Sequence, residues 1–252
     1  MCLIFVANRC VPGYRLVVVA NRDEFHARPS TAIHRWHDAS HVLAGRDLEA
    51  GGTWLGVTAR GRFAALTNYA DGGAASANRP SRGALVSGFL RDEVSATDYL
   101  DGLHERRAHY SGFNLLVDDG GGLGYVSNRG DALHPLTAGI YGLSNHLLDT
   151  PWPKVKAGKA KLAALLQDGE LPDTEALFEM MGTASNLGAD AEHNAAARAH
   201  SQAFILGEHY GTRATTVVAV AEQSDECAAN GWLLERRFDE HGHSLATEQL
   251  NF

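Results

Sequence analysis

A chain of 252 residues, 44% of them hydrophobic, is long enough to bury a sizeable core, and no Pro/Ser/Gly linker or break in composition divides it, so a single domain over residues 1–252 is expected. Its 22 Lys plus Arg against 30 Asp plus Glu leave a net charge of -8, which disfavours a nucleic-acid backbone or an anionic membrane as partner. Cys2, Cys10 and Cys227 are too few and too irregularly placed for a disulfide framework or a structural zinc site, which favours a reducing compartment, the cytoplasm. The opening apolar run, Leu3 to Ala7, is too short for a signal peptide or a membrane span, so no membrane insertion is expected.

The first stretch, Met1 to Phe25, holds two apolar runs, Leu3 to Ala7 and Leu16 to Ala20, around a segment containing Pro12-Gly13. This pattern predicts a β-hairpin. Opposed residues in a hairpin keep a constant sum, and a turn centred near Cys10 and Val11 sets Cys2 against Ala20 to Arg22. Both runs are apolar on consecutive residues, as in strands covered on two faces. Ala27 to His41 is polar and His-rich, and reads as loop with short extended pieces. His34, His37 and His41 have no Cys or carboxylate to complete a cluster, so surface histidines are the simpler reading and no metal site is expected.

A second hairpin is predicted from Gly51-Gly52-Thr53-Trp54-Leu55-Gly56-Val57 to Phe63–Asn68, with Gly61 in its turn. Ser81 is expected to cap a helix carrying Leu85, Val86, Phe89 and Leu90, and a second helix follows over Ala96 to Arg107 with Tyr99, Leu100 and Leu103 inward. Strands are expected at Phe113 to Val117, Leu123 to Ser127 and Ile140 to Ser144. Pro153 opens a helix to about Gln167 whose lysines, Lys154, Lys156, Lys159 and Lys161, read as its solvated face. A helix near Thr174 to Met181 is followed by a weakly patterned connection, Ala184 to Ala199. Further strands are predicted at Ala203 to Leu206, Ala214 to Ala221, Gly231 to Phe238 and Ser244 to Leu250. Runs of strands alternating with runs of helices imply an α+β fold with two antiparallel sheets.

Polar residues at strand ends form the candidate site: Cys2, Arg22, Asp23, Glu24, Asn68, Asn145 and Arg213, with Tyr69 and His26 beside them. Removal of Met1 exposes an α-amino group on Cys2, and such a group titrates near ~8, so it serves as a general base for its own side chain. Arg22 favours the thiolate and anchors a carboxylate, while Asp23 or Glu24 holds the α-ammonium. Asn68 with the backbone N–H of Tyr69 offers an oxyanion hole, and Asn145 orients substrate or donates similarly. The plainer alternatives are a buried apolar cysteine, an ion-pair network at Arg22, Asp23 and Glu24, turn-capping asparagines, and an Arg213 that neutralises Asp23 or Glu24.

Short blocks along the chain carry a resemblance: Met1-Cys2, Asn21-Arg22-Asp23-Glu24-Phe25, Gly51 to Gly56, Leu66-Thr67-Asn68, Ser81-Arg82-Gly83, Phe113-Asn114-Leu115-Leu116, Gly142-Leu143-Ser144-Asn145, Trp152-Pro153-Lys154-Val155 and Gly211-Thr212-Arg213. In this order they resemble the NRDE family, whose eukaryotic members are called transport and Golgi organization 2 proteins. More distantly the layout is similar to N-terminal-nucleophile (Ntn) hydrolases of the bile-salt hydrolase and penicillin V acylase type. That resemblance implies a four-layer αββα sandwich, Cys2 as nucleophile, Asn68 as oxyanion donor, and Arg22, Asn145 and Arg213 in supporting places. The Asp that those hydrolases carry three residues after the Arg is Phe25 here, which leaves the amino-holding role to Asp23 or Glu24. The expected activity is hydrolysis or acyl transfer on a small-molecule amide or thioester, with no cofactor required. The alternative is a carrier of haem or acyl-CoA, since the NRDE family is associated with haem trafficking and lipid metabolism; haem ligation would draw on His26, Cys2 or Tyr69.

Overall fold

The structure, a computed structural model, describes residues 2–70, 79–130, 134–182, 200–222 and 231–252. The expected connection over 184–199 and Cys227 lie outside the described residues. In chain order the strands are β1 Cys2–Val11, β2 Tyr14–Phe25, β3 Ser30–Trp36, β4 Ala39–Asp47, β5 Leu55–Thr58, β6 Phe63–Asn68, β7 Phe113–Asp118, β8 Leu123–Ser127, β9 His134–Leu136, β10 Gly139–Leu143, β11 Tyr210–Ala221, β12 Gly231–Phe238 and β13 Ser244–Asn251. The helices are α1 Gly83–Arg91, α2 Ala96–Arg106, α3 Pro153–Leu165 and α4 Thr174–Gly182. All described pairings are antiparallel and form a six-stranded sheet, β10-β1-β2-β11-β12-β13, and a seven-stranded sheet, β3-β4-β5-β6-β7-β8-β9.

Three apolar layers hold four layers of structure together, because a sheet buried on both faces must find a partner for each. Between the sheets, Ile4, Val6, Leu16, Val18 and Ala20 meet Leu43, Leu55, Val57, Phe63 and Leu116. On the outer face of the seven-stranded sheet, Ala64, Leu115 and Val117 pack under α1 and α2 through Leu85, Phe89, Tyr99 and Leu103. Leu3, Phe5, Val17 and Val19 pack under α3 and α4 through Val155, Leu162, Leu177 and Phe178. The result is the αββα sandwich. β1 and β2 supply both inner and outer layers from alternate residues, which explains their unbroken apolar runs. Gly158 lets α3 lie directly on β1, since a β-carbon there would collide with the Phe5 ring.

Cys2 pairs with Arg22 and Leu3 with Asn21, so the expected opposition of Cys2 to the end of the second run holds. Its cause differs in detail. The turn is Pro12-Gly13, with Gly13 at φ 81°, and a bulge between Asn8 and Val11 shifts the register by one residue. Arg9 occupies that bulge at φ 52°, a left-handed conformation uncommon for a residue with a side chain.

Four expectations fail. Ala27 to His41 is not mainly loop: it gives the whole of β3 and the start of β4. β3 is an edge strand, and its polar outward residues dilute the apolar signal. Ser81 does not cap α1: Arg82 takes that place without a side-chain cap. Ala203 to Leu206 is not a strand, as its polar groups are met elsewhere: the Asn21 carboxamide donates to Ala203 O at 2.8 Å, and Ile205 N–H donates to Thr212 Oγ1 at 2.9 Å. Lys154 is not solvated but 1% exposed. No described helix is long and apolar enough to cross a membrane.

Candidate functional site

The hairpin register sets the Cys2 and Arg22 side chains on the same face of the six-stranded sheet, since directly opposed residues share a face. That face points between the sheets, as Ile4, Val6 and Ala20 show. A cleft of about 890 Å³ opens at this end, lined among others by Cys2, Arg22 and Glu24 from one sheet and Leu66 and Asn68 from the other. Asp47 at the end of β4 and loops carrying Arg28, Trp54, Arg79, Ser81 and Arg82 complete its wall. The Gly51 to Gly56 and Ser81-Arg82-Gly83 blocks meet there, with Thr53 N–H donating to Gly83 O at 3.3 Å.

Arg22 is 5% exposed. Its guanidinium lies 4.1 Å from the centre of the Trp54 ring and donates to Ser30 Oγ at 3.1 Å. Among the described residues it closes no ion pair, so a fixed positive charge beside Cys2 is left for an anion. Burial draws its pKa down, while Cys2, Glu24 and Asp47 oppose that. The Cys2 thiol is pushed up by burial; Asp23 adds to this and Arg22 works against it. At neutral pH such a thiol needs a base or nearby cations to ionise.

Asp23 points to the other face of the sheet, toward the helices. It is 2% exposed and accepts from Thr212 Oγ1 at 2.6 Å, and Tyr210 OH donates to its backbone carbonyl at 2.7 Å. Burial raises its pKa, with Thr212 and Lys154 pulling it back. Glu24 sits at the cleft rim and accepts from the N–H of Phe25 at 2.9 Å. The two acids that follow Arg22 therefore have different settings, one desolvated beside the strand start and one at the mouth.

Asn68 lines the cleft, and its carboxamide makes no hydrogen bond among the described residues, which leaves its donors available. The N–H of Tyr69 is not available: it donates to Gly112 O at 2.9 Å. Asn145 is brought close but not into the cleft. Its Nδ2 donates to Asn68 O at 2.8 Å, and its Oδ1 accepts from Ser144 Oγ at 3.2 Å, the same hydroxyl that donates to Cys2 O at 3.1 Å. Ser144 and Asn145 thus tie the strand bearing Cys2 to the strand bearing Asn68. Thr67 Oγ1 donates to Ser144 O at 2.5 Å, and the Asn114 carboxamide donates to Thr67 Oγ1 at 3.0 Å and to His146 O at 2.9 Å, bracing the tie.

Arg213, Tyr69 and His26 do not line the cleft. Arg213 is the bulged residue between Thr212 and Ala214 and donates to Phe25 O at 3.0 Å and His26 O at 2.8 Å, so it pins the end of β2 through carbonyls rather than carboxylates. The Tyr69 ring lies 4.9 Å from that of His146, and His26 Nε2 is paired with Gly207 O at 2.9 Å. Sequence reasoning missed Trp54, Ser144, Thr212 and Lys154. Each lies in a block quoted for the resemblance, which was the available signal, but none has a spacing that assigns it a role.

Fold and site together define a class: an αββα sandwich whose first strand starts with a cysteine that opens into a cleft between the sheets, beside an arginine that closes no ion pair among the described residues. The chain belongs to the Transport and Golgi organisation 2 family, whose model matches residues 1–240. It is 37% identical over 246 residues to the Transport and Golgi organization protein 2 homolog of Bos taurus, covering 87% of this chain and 88% of that one. Against the Mus musculus homolog it is 36% identical over 247 residues, with 87% and 88% covered. Against the Homo sapiens homolog it is 39% identical over 201 residues, with 74% and 72% covered. A solved structure of the Caenorhabditis elegans N-acylethanolamine-hydrolyzing acid amidase (NAAA) ortholog is similar at a TM-score of 0.47 and 14% identity, over 86% of this chain and 92% of that one.

Proposed function

We propose that this chain is an N-terminal cysteine hydrolase or acyl transferase acting in the cytoplasm on a small-molecule, non-peptide amide or thioester. One observation carries the reading: Cys2, Arg22 and Asn68 share one cleft between the sheets, and among the described residues Arg22 closes no ion pair and the Asn68 carboxamide makes no hydrogen bond. With Met1 removed, the α-amino group of Cys2 takes the thiol proton, and Asp23, desolvated beside the strand start, holds the resulting ammonium. The thiolate attacks the carbonyl, charge builds on oxygen, and Asn68 Nδ2 meets it. The ammonium returns the proton to the leaving amine or thiol, and water or a second acceptor then takes the acyl group from sulfur. Arg22 seats the anionic end of a substrate or steadies the thiolate.

The test is acyl trapping on untagged protein. A panel of amides and thioesters is expected to leave an acyl adduct on the Cys2 peptide by mass spectrometry, and intact mass is expected to lack Met1. Retained Met1 with no adduct from any member of the panel overturns the reading. A second reading draws on the arginines Arg22, Arg28, Arg79 and Arg82 that line the cleft: a carrier that holds an anionic ligand, haem or acyl-CoA, without chemistry. A Soret shift on haem titration, lost in Cys2→Ala, would favour it.

A further inference from the structure

The Trp152-Pro153-Lys154-Val155 block has no part in the chemistry above, yet it sets a lysine in an unusual place. Lys156 is exposed and Lys159 pairs with Asp149 at 2.8 Å, as befits the outer face of α3. Lys154 is turned the other way. It is 1% exposed, and its Nζ has no hydrogen-bond partner among the described residues. Three features of its position work against a cation. It is desolvated, it lacks an acceptor, and it stands in the first turn of α3 behind Pro153, at the positive end of the helix dipole.

What surrounds it explains why the chain keeps a lysine there. The packing of α3 on β1 through Val155, Leu3 and Phe5 brings its first turn to the start of that strand. Burial draws the Lys154 pKa down, and two groups oppose that: the Asp23 carboxyl, which faces the helix layer from β2, and Cys2 from β1. The Trp152 ring lies 5.7 Å from Nζ and stacks on His200 at 4.1 Å. His146, from the segment after β10, lies 6.0 Å from Trp152. Burial disfavours protonation of His200, and the neighbouring Lys154 adds to this. Arg22 lies on the opposite face, in the cleft.

We propose that Lys154 is a positioning residue of the Cys2 site: a buried positive charge that, from the helix side, stabilises the Cys2 thiolate and gives Asp23 its counter-charge. Electrostatic coupling is mutual. If a thiolate at Cys2 favours the Lys154 ammonium, the ammonium favours the thiolate to the same degree. Arg22 and Lys154 then bracket the sulfur from two sides of one sheet. No bond is made or broken by Lys154; its effect is on the fraction of sulfur ionised.

The inference deepens the hydrolase reading and rests on it for its purpose, but the test is independent of any substrate. The rate of Cys2 alkylation by iodoacetamide is followed against pH by peptide mass spectrometry on wild type, Lys154→Met and Lys154→Arg, with melting curves on each. Lys154→Met is expected to raise the midpoint of the rate profile by about one pH unit and to slow alkylation about tenfold near pH 7. Lys154→Arg is expected to keep the wild-type midpoint. An unchanged midpoint in a folded Lys154→Met protein overturns the proposal, as does an equal shift in both variants, which would make the effect one of packing. Should Lys154→Arg fail to fold, the Lys154→Met profile decides alone. A shifted midpoint together with failed acyl trapping would retain the charge-setting role and reject the hydrolase.

Discussion

β2 carries two buried arginines seven positions apart, Arg15 and Arg22, and they meet opposite fates. Arg15 is near the turn, where the sheets close on each other. Its Nε donates to Asp118 at 2.8 Å, both side chains are 3% exposed, and a second donor is taken by the Gly61 carbonyl. Arg22 is near the strand end, where the sheets part around the cleft, and it has an aromatic face and a serine hydroxyl but no carboxylate. Carboxyls do stand within electrostatic range: Glu24, Asp47 and Glu235. Burial raises Glu235 to about 7, and it accepts from Ile33 N–H at 3.2 Å. Below that pH it is neutral and adds nothing to the partial compensation that Glu24 and Asp47 give Arg22. Two residues of one type on one strand thus have different settings, decided by what lies across the gap: a charged partner locks the sandwich at one end, and at the other no described carboxylate closes an ion pair.

The comparison breaks most plainly at its closed end. Asp118→Ala strands the Arg15 charge in the interior and is expected to cost about 3–5 kcal/mol in denaturant unfolding. A loss under about 1 kcal/mol would show that Arg15 reaches water after all. Next comes Glu235. Its folded pKa lies above the usual glutamate value, so the folded state binds the extra proton. Its contribution to stability is therefore fully present below about pH 4.5 and lost as pH rises through about 7. Urea midpoints should fall by an amount on the order of 3 kcal/mol across that window, and Glu235→Gln should flatten this fall.

At the open end the expected effects move from stability to chemistry. Asn68→Ala should lower the rate of Cys2 acylation by about 10²-fold, near 2.7 kcal/mol in the barrier. Its effect on unfolding should stay within about 0.5 kcal/mol, because its carboxamide holds nothing in place. Arg22→Met is expected to cost more than Asn68→Ala but still little, about 1 kcal/mol from the lost stacking on Trp54. Calorimetry with small carboxylates should nevertheless show anion binding abolished in that variant. If Arg22→Met destabilised as much as Asp118→Ala, the contrast between the two ends would collapse.

The same contrast marks how far the sequence could be read. The two antiparallel sheets and the Cys2-to-Arg22 pairing followed from apolar runs and a chain reversal between them, because local pattern suffices for those, whereas the four-layer order was implied only by the resemblance. β3 and the start of β4 were hidden because an edge strand shows polar residues to solvent, so Ser30 and His34 resemble a loop. Lys154 was misassigned for a related reason. Helical periodicity ranks faces by their average character, and a lysine in the first turn counts toward the polar side unless tertiary packing is known. Asn145 and Arg213 were recognised as belonging near the site. Their hydrogen bonds, to Asn68 O and to the carbonyls of Phe25 and His26, make them braces, a role that depends on long-range partners that spacing cannot supply.

The hydroxyl of Ser144 already fastens the Cys2 carbonyl. Newly cut chain ends ordinarily fray; this one would be moored by its first peptide group. Trimming by an aminopeptidase would then yield a working amino terminus without any later ordering step, so maturation and activation would be a single event.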